Sequence, residues 1–434
     1  MSTTIRPHRS TKWVTAYFAI WVGQALSIVG SELVQFALIW WLTDTTGSAT
    51  VLTMALLVGK LPRVVLGPFV GTLVDRWNRR IIMIVADAVI ALATVGLSVL
   101  FAAGAVQIGH VYLLMFVRAV GTCFHAPAMR ASTSLMVPKQ HLSRVQGVNQ
   151  LLSGGVSIVA APLGALLLSL LPMQAILMID VVTALIAITP LLFVAVPQPE
   201  RHLQPEEARG KVSFWQDFRA GFHYMWRWQG LMIVATMAAV GNLLLNPALM
   251  TLPILVTRHF GGRAVELAWS EAAFSLGVVV GSSALSVWGG TKRRVLTMLV
   301  ALLCVGAGML AIGLVPASAF ALLLGALLFV GAALPMFNGP LIAIMQAVVA
   351  PEMQGRVFTL FSSLTLAMIP LGSIIVGPVA DAFGVQTCYV AAGTVIVLMG
   401  LASFFLPAVI YIEDQREGVG AMAAEQVTSL EQAP

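Results

Sequence analysis

Residues 67–80 read GPFVGTLVDRWNRR. The first part of this stretch is apolar, and the second part holds Asp75 followed by Arg76, Arg79 and Arg80. Apolar residues continue on both sides, so the charged residues form a short turn between two helices of membrane-spanning length. The stretch therefore predicts two transmembrane helices joined by a compact charged loop.

The composition of the whole chain indicates a membrane protein. Of 434 residues, 59% are hydrophobic and 10% are charged, whereas about a quarter of the residues in soluble domains are charged. An apolar stretch of about 20 residues can cross a bilayer as a helix. We predict an all-α membrane protein with spans near 14–42, 50–74, 81–103, 110–130, 147–171, 174–196, 231–256, 266–289, 295–316, 318–346, 357–382 and 387–412.

Lysine and arginine residues predict the orientation of these spans. The chain has 24 of them and a formal net charge of +6, and most lie in alternate loops, which are 75–80, 130–144, 197–230 and 289–294. Because basic loops stay on the cytoplasmic side, both termini are expected to be cytoplasmic. The charge therefore indicates topology, and we expect no nucleic-acid partner.

A polar segment divides the chain into halves of six spans each. It begins PQPERHLQPEEARGK and then places aromatic residues at near-helical spacing. This spacing favours an amphipathic helix on the cytoplasmic leaflet, and docking of a partner protein is the alternative. The predicted domains are a six-helix bundle at 1–196, a linker at 197–230, a second six-helix bundle at 231–412 and a cytoplasmic tail at 413–434.

The two halves show weak internal similarity. VPKQHLSRV at 137–145 precedes the fifth span, and APEMQGRV at 350–357 precedes the eleventh. These are corresponding positions in the two halves. Repeated bundles around a central path suit alternating access, in which one bundle rocks against the other.

No enzyme or cofactor motif is present in the sequence. Cys123, Cys304 and Cys388 lie singly in different spans, and the seven histidines form no HExxH pattern. The chain also has no GxxxxGK[ST] loop for a nucleotide phosphate. We therefore expect no cofactor, no metal, no catalytic residue and no ATP-driven pumping within this chain.

Ionisable residues inside spans are the candidate functional groups. Buried acids hold protons more tightly and can load and release them. The candidates for proton coupling are Glu32, Arg118, Glu271, Asp180 and His125, and those for a substrate cavity are Glu32, Phe36 and Gln24. Three alternatives remain open: Arg118 paired only with backbone carbonyls, a packing role for His125, and Asp87 and Asp180 as interfacial anchors.

The charged turn resembles the loop motif of the major facilitator superfamily, with spacing GxLxDRxxRR. The resemblance implies two six-helix bundles and a latch that closes the cytoplasmic side in the outward-facing state. The latch residues are Gly71, Asp75, Arg76, Arg79 and Arg80. Two further features resemble antiporting members. They are Arg118 in FVRAVGTCFHAPAM, with Gly121 three rather than four residues later, and the run GGVSIVAAPLGALL.

Longer strings resemble the bacterial macrolide-efflux (Mef-type) permeases. They are YFAIWVGQALS at 17–27, LTDTTGSATVLTMALLVGKLP at 42–62, LVDRWNRRIIMIVAD at 73–87 and FVRAVGTCFHAPA at 116–128. The resemblance implies a monomeric carrier in the bacterial cytoplasmic (inner) membrane that exports small amphipathic, macrolide-like drugs in exchange for protons. One alternative is export of another amphiphile, such as a siderophore or a lipid-like metabolite. The other is a non-transporting membrane enzyme or scaffold.

Overall fold

A computed structural model describes residues 12–198 and 214–413. Within these residues, 12 helices are long and apolar enough to cross a membrane, and no β-strand is present. The prediction of an all-α protein with twelve spans is confirmed. The predicted tail at 413–434 lies, apart from its first residue, outside the described residues.

The first six helices hold the candidate site. α3 begins after Asn78, whose Oδ1 accepts hydrogen bonds from the backbone N–H groups of Arg80 (3.0 Å) and Ile81 (3.4 Å). Such a cap satisfies N–H groups that lack a partner within the helix. The six helices are α1 (Lys12–Thr46), α2 (Ala49–Arg76), α3 (Arg79–Ala102), α4 (Ile108–Met136), α5 (Leu142–Leu170) and α6 (Met173–Phe193).

The later helices follow a short linker helix. They are α7 (Phe214–Arg227), α8 (Gln229–Met250), α9 (Leu252–Ile254), α10 (Ala264–Trp288), α11 (Arg294–Leu314), α12 (Phe320–Val348), α13 (Pro351–Phe383), α14 (Val385–Phe404) and α15 (Pro407–Ile410). A left-handed backbone at Gly384, with φ of 90°, separates α13 from α14. Glycine adopts this conformation without the penalty that a side chain imposes.

The described residues form two compact units. The first holds 12–47, 54–198 and 262–272, and the second holds 48–53, 214–261 and 273–413. Residues of α2 and α10 therefore occur in both units. The predicted domain boundaries stay a prediction, because these units are not continuous stretches of chain.

Close helix packing in the first unit brings the site residues together. α1 packs against α5 and α6, and α3 packs against α4 and α6. A Cβ atom on Gly30 would overlap the Thr183 hydroxyl and lie 3.3 Å from the Cα atom of Asp180. A Cβ atom on Gly121 would lie 2.7 Å from Ile90 Cδ1. Glycine thus permits α1 to approach α6, and α4 to approach α3.

The second unit is assembled from helices of the later half. α11 packs against α12 and α14, and α8 packs against α13. A Cβ atom on Gly281 of α10 would overlap the carbonyl oxygen of Ala332 on α12. The backbones of α10 and α12 therefore meet at a distance that only glycine allows there.

The linker helix packs part of its surface against protein. In α7, Met225 is buried, and the Tyr224 hydroxyl accepts a hydrogen bond of 3.3 Å from the backbone N–H of Ala350. Phe222 and Trp226 are exposed, and their rings stack at 5.7 Å. Contact of this exposed aromatic pair with a membrane stays a prediction.

Candidate functional site

A buried ion pair lies at the centre of the first unit. Arg118 Nη1 on α4 donates to Asp180 Oδ2 on α6 at 2.5 Å, and Arg118 Nη2 donates to the carbonyl oxygen of Ser31 at 2.9 Å. Arg118 therefore has a carboxylate partner as well as a carbonyl partner, so the alternative of pairing only with backbone carbonyls is wrong. The pairing offsets the cost of placing an arginine within a membrane span.

Two hydroxyl groups complete the surroundings of Asp180. Ser31 Oγ donates to Asp180 Oδ1 at 3.0 Å, and Thr94 Oγ1 lies 3.4 Å from Asp180 Oδ2. The Asp180 residue is 1% exposed. Asp180 is therefore enclosed by protein two turns into α6, while the interfacial-anchor alternative stays a prediction.

A second group of polar side chains joins the same helices. Gln24 Nε2 on α1 donates to Asp87 Oδ2 on α3 at 3.1 Å. His125 Nε2 on α4 lies 3.5 Å from Asp87 Oδ1 and is buried without a hydrogen-bond partner. Asp87 is also buried, at 7% exposure, and its position as an interfacial anchor stays a prediction.

The two groups form layers that repeat every seven residues along three helices. The pairs are Gln24 and Ser31 on α1, Asp87 and Thr94 on α3, and Arg118 and His125 on α4. Seven residues are close to two helical turns, so each pair lies on one face of its helix, about 10.5 Å apart along the axis. We name them the ion-pair layer (Ser31, Thr94, Arg118, Asp180) and the histidine layer (Gln24, Asp87, His125).

Glu32 directly follows Ser31 of the ion-pair layer on α1, but it is not buried between the helices. Its side chain is exposed, and it lies within electrostatic range of Arg118 and Lys60. Glu271, which belongs to the first unit, interacts electrostatically with Glu32. Arg63 interacts in the same way with Lys60. These groups form a charged cluster next to the buried layers.

The other two cavity candidates lie inside the first unit. Gln24 is 4% exposed and belongs to the histidine layer. Phe36 is 5% exposed. Its ring packs closely on Gly164 of α5, where an added Cβ atom would lie 2.8 Å from Phe36 Cδ1. Contact of Gln24 and Phe36 with a substrate stays a prediction.

The charged turn connects several elements of the first unit. Arg79 is buried and donates from Nη1 to the carbonyl oxygen of Ala131 on α4 at 3.2 Å. Arg80 Nη2 donates to the carbonyl oxygen of Leu192 on α6, while Arg76 is exposed at the end of α2. The side chains of Gly71 and Asp75 lie outside the described residues. The latch function stays a prediction.

An apolar groove lies beside this turn. It has a volume of about 760 Å³ and runs along α3 and α4 from the stacked rings of Trp77 and Phe124, whose centroids are 6.4 Å apart. Its lining is largely aliphatic and includes none of the candidates for proton coupling or for the substrate cavity. The groove is thus separate from the two polar layers.

One site residue escaped the sequence analysis. Asp381, near the end of α13, accepts hydrogen bonds from the backbone N–H groups of Ala49 (2.7 Å) and Thr50 (2.9 Å) and from Ser48 Oγ (2.7 Å). All four residues belong to the second unit. A carboxylate supplied by a distant helix caps the start of α2, and no sequence motif signals such a partner.

The described residues contain no group of three or more histidine, cysteine or acidic side chains that could hold a metal ion. Their charged groups are arranged as ion pairs and hydrogen bonds between helices. This arrangement can bind and move protons and can attract an organic cation.

Comparison with known proteins identifies relatives. A family model described as Major Facilitator Superfamily matches residues 20–364. The chain is 32% identical over 389 residues to Macrolide efflux protein A of Streptococcus pyogenes, covering 90% of this chain and 95% of that protein. It is 26% identical over 391 residues to the Multidrug efflux pump Tap of Mycolicibacterium fortuitum, covering 87% and 92% of the two chains.

Solved structures resemble the chain in fold. The nucleoside transporter NupG aligns with a TM-score of 0.69 at 13% identity, covering 89% of this chain and 98% of that one. A bacterial homologue of the lysosomal transporter Spinster aligns with a TM-score of 0.70 at 14% identity, covering 94% and 98%.

Proposed function

This chain belongs to the Major Facilitator Superfamily, and from that premise we propose that it exports amphipathic, macrolide-like drugs in exchange for protons. It is an integral membrane transporter rather than an enzyme, because its relatives are transporters and 12 helices can cross a membrane. The observation that carries the proposal is the 32% identity to Macrolide efflux protein A, which extends over 90% of this chain.

The charged cluster suits a lipophilic amine as substrate. Glu32 is exposed on an apolar helix, and Arg118 and Lys60 are close enough to interact with it. A carboxylate in apolar surroundings attracts an organic cation without a tight steric fit. Uptake of a proton by the carrier would weaken the attraction and favour release, which is the exchange that antiport requires.

The membrane potential and the proton gradient supply the energy for export. Moving one net elementary charge across about 100 mV yields roughly 2.3 kcal/mol, which corresponds to a concentration ratio of about 50. A drug that leaves as a monocation draws on the potential only if two protons enter per drug, whereas a one-for-one exchange is driven by the pH difference alone. The proposed carrier acts as a monomer by alternating access in the bacterial inner membrane, with both termini cytoplasmic. Glu32, Arg118, Asp180, Glu271 and His125 are its candidates for proton coupling.

Accumulation of a radiolabelled macrolide tests this function. We expect cells that express the wild type to accumulate several-fold less drug than cells without it, and a protonophore to abolish the difference. Glu32→Gln keeps the size of the side chain but removes its charge, so accumulation rises toward that of cells without the protein. Asp44→Asn, at the exposed end of the same helix, is the matched control and leaves export unchanged.

Two outcomes would contradict the proposal. Equal accumulation with and without the wild-type protein would remove macrolides as substrates, and export that survives the protonophore would remove proton antiport. Full export by Glu32→Gln would remove Glu32 from the mechanism while leaving export itself intact.

Export of other amphiphiles is the second candidate, favoured by the 26% identity to the Multidrug efflux pump Tap. Competition between a radiolabelled macrolide and other compounds tests this candidate. Unlabelled lipophilic cations of other chemical classes should raise macrolide accumulation in expressing cells if the carrier accepts several classes. No competition would restrict the carrier to macrolides.

A further inference from the structure

The acid of the ion-pair layer has three donors around it. Asp180 accepts from Arg118 on one oxygen and from Ser31 on the other, with Thr94 close to the first. One of these donors is a guanidinium group, which makes a charge-assisted hydrogen bond with the carboxylate. Most of the acceptor sites of Asp180 are therefore occupied by contacts that join helices.

The acid of the histidine layer is in a different situation. Asp87 Oδ2 accepts one hydrogen bond, from Gln24, and Asp87 Oδ1 faces His125 Nε2 at 3.5 Å without a hydrogen bond. A neutral imidazole with its hydrogen on Nδ1 presents a lone pair at Nε2. In that tautomer the lone pair and the carboxylate oxygen repel each other, whereas a hydrogen on Nε2 allows the imidazole to donate to Asp87.

The helices around Asp87 and His125 carry few other ionisable groups. α1 contributes Gln24, and the charged groups on the buried faces of α4 and α6 are Arg118 and Asp180, which bind each other about two turns away. Arg63 of α2 lies within electrostatic range of Cys123, two residues before His125. The acids and histidines of α1, α4 and α6 outside the histidine layer are Glu32, Asp44, His110 and Asp180. On α3 itself, Arg79 points to the carbonyl oxygen of Ala131.

We propose that Asp87 and His125 together bind the proton that is exchanged for drug, with Gln24 as a positioning residue and the Arg118–Asp180 ion pair fixed throughout the cycle. The inference rests on the proposed antiport function and names the site that performs its proton step. It gives Asp87, one of the acids that lie inside spans, a defined role in that step.

The proton step is balanced within this layer. On loading, a hydronium ion on one side of the membrane gives up a proton, an N–H bond forms at His125 Nε2, and the charge of the pair changes from −1 to zero. On release, the same N–H bond breaks and the proton passes to water on the other side of the membrane. Asp87 follows the start of α3 by eight residues, which is about 12 Å from the end that carries the charged turn.

Proton release upon drug binding tests the proposal. Purified full-length protein in weakly buffered detergent solution receives a macrolide, and a pH indicator records the protons released per bound drug. We expect the wild type to release protons, and Asp87→Asn and His125→Asn to reduce the release by about tenfold or more, since each removes a group of the titrating pair. Thermal unfolding of both purified variants in the same detergent checks that they fold.

Two further sets of variants separate coupling from structure. His110→Asn, on the same helix as His125, and Asp44→Asn are matched controls that keep proton release unchanged. Gln24→Glu places a second carboxylate beside Asp87, so the midpoint of the pH dependence of proton release should rise by about one unit. A residue with only a packing role would not produce this shift.

The outcomes distinguish this inference from the proposed function. A wild type that exports drug with proton release, together with Asp87→Asn and His125→Asn variants that release as many protons, would overturn the inference and leave antiport standing. An unchanged pH midpoint in Gln24→Glu would also overturn it. A wild type that binds and exports drug without any proton release would overturn both.

Discussion

Arg118 illustrates how a charged side chain becomes tolerable inside a membrane span. An arginine at the centre of a span costs about 2.5–3.5 kcal/mol on insertion scales. In this protein the guanidinium group is shared between the Asp180 carboxylate and the Ser31 carbonyl oxygen. The charge is therefore neutralised within the first unit, and the two helices that carry it are fixed relative to α1.

Removal of the Asp180 charge should destabilise the protein. We expect Asp180→Asn to lower the free energy of unfolding by about 3 kcal/mol, because the buried Arg118 charge loses its counter-ion. Thermal unfolding of the purified protein in detergent measures the effect. A double variant that also carries Arg118→Gln should recover part of the loss, since neither charge then remains. Equal stability of wild type and Asp180→Asn would show that the ion pair is dispensable.

The sequence identified charged residues more readily than it identified their partners. Arg118, Asp180 and His125 stand out because ionisable residues are rare in membrane spans. Their pairing depends on which helix faces join, and a single sequence does not contain that information. The seven-residue spacing of Gln24 and Ser31, of Asp87 and Thr94, and of Arg118 and His125 was present as a signal. It becomes meaningful once α1, α3 and α4 are known to share an interior.

At the scale of helices, span number was predictable and helix ends were not. α4 continues to Met136 beyond the predicted end at residue 130, and the Ser132 and Thr133 hydroxyl groups bond to carbonyl oxygens of the preceding turn. The predicted seventh span, 231–256, is interrupted instead: α8 ends at Met250, and α9 begins at Leu252 with Pro253 in its first turn. Proline by itself does not mark these ends, since Pro127 lies within α4 and Pro247 within α8.

The cap on α2 is a second feature of this scale. The positive end of α2 meets Asp381, which stands near the negative end of α13. A carboxylate is unfavourable at the C-terminal end of its own helix and favourable at the start of another. The contact therefore offsets the unfavourable interaction of the Asp381 carboxylate with the end of its own helix, and it gives two N–H groups of α2 an acceptor.

Loss of this cap should weaken the helix start measurably. We expect Asp381→Ala to reduce the free energy of unfolding by about 1–2 kcal/mol, which is typical of a lost cap. Asp381→Asn retains a carbonyl oxygen as acceptor and should lose less. Thermal unfolding of the three purified proteins in the same detergent gives the order, and an Asn variant less stable than the Ala variant would contradict the capping role.

At the scale of the whole molecule, basic residues dominate the charge pattern. The formal net charge is +6, and most lysines and arginines fall in alternate loops. Because such loops remain on the cytoplasmic side, the turn at 75–80 and both termini are predicted to face the cytoplasm. The orientation is the part of the architecture that rests on charge rather than on helix packing.

Labelling of single cysteines tests the orientation. In a variant whose Cys123, Cys304 and Cys388 are replaced by alanine, a membrane-impermeant maleimide applied to intact cells should label Ala105→Cys, between α3 and α4. Gln140→Cys, between α4 and α5, should react only after the cells are permeabilised. The reverse pattern would invert the protein in the membrane.

The two polar layers form only if α1, α3 and α4 each keep their rotation about the helix axis over the seven residues between the layers. Each residue turns a helix by about 100°, so one inserted residue between Arg118 and His125 would swing the imidazole away from Asp87 while the Arg118–Asp180 contact survived. The same holds for α1 between Gln24 and Ser31 and for α3 between Asp87 and Thr94. Insertions and deletions in these three short intervals should therefore disconnect the layers without unfolding the protein, whereas those at helix ends should be tolerated.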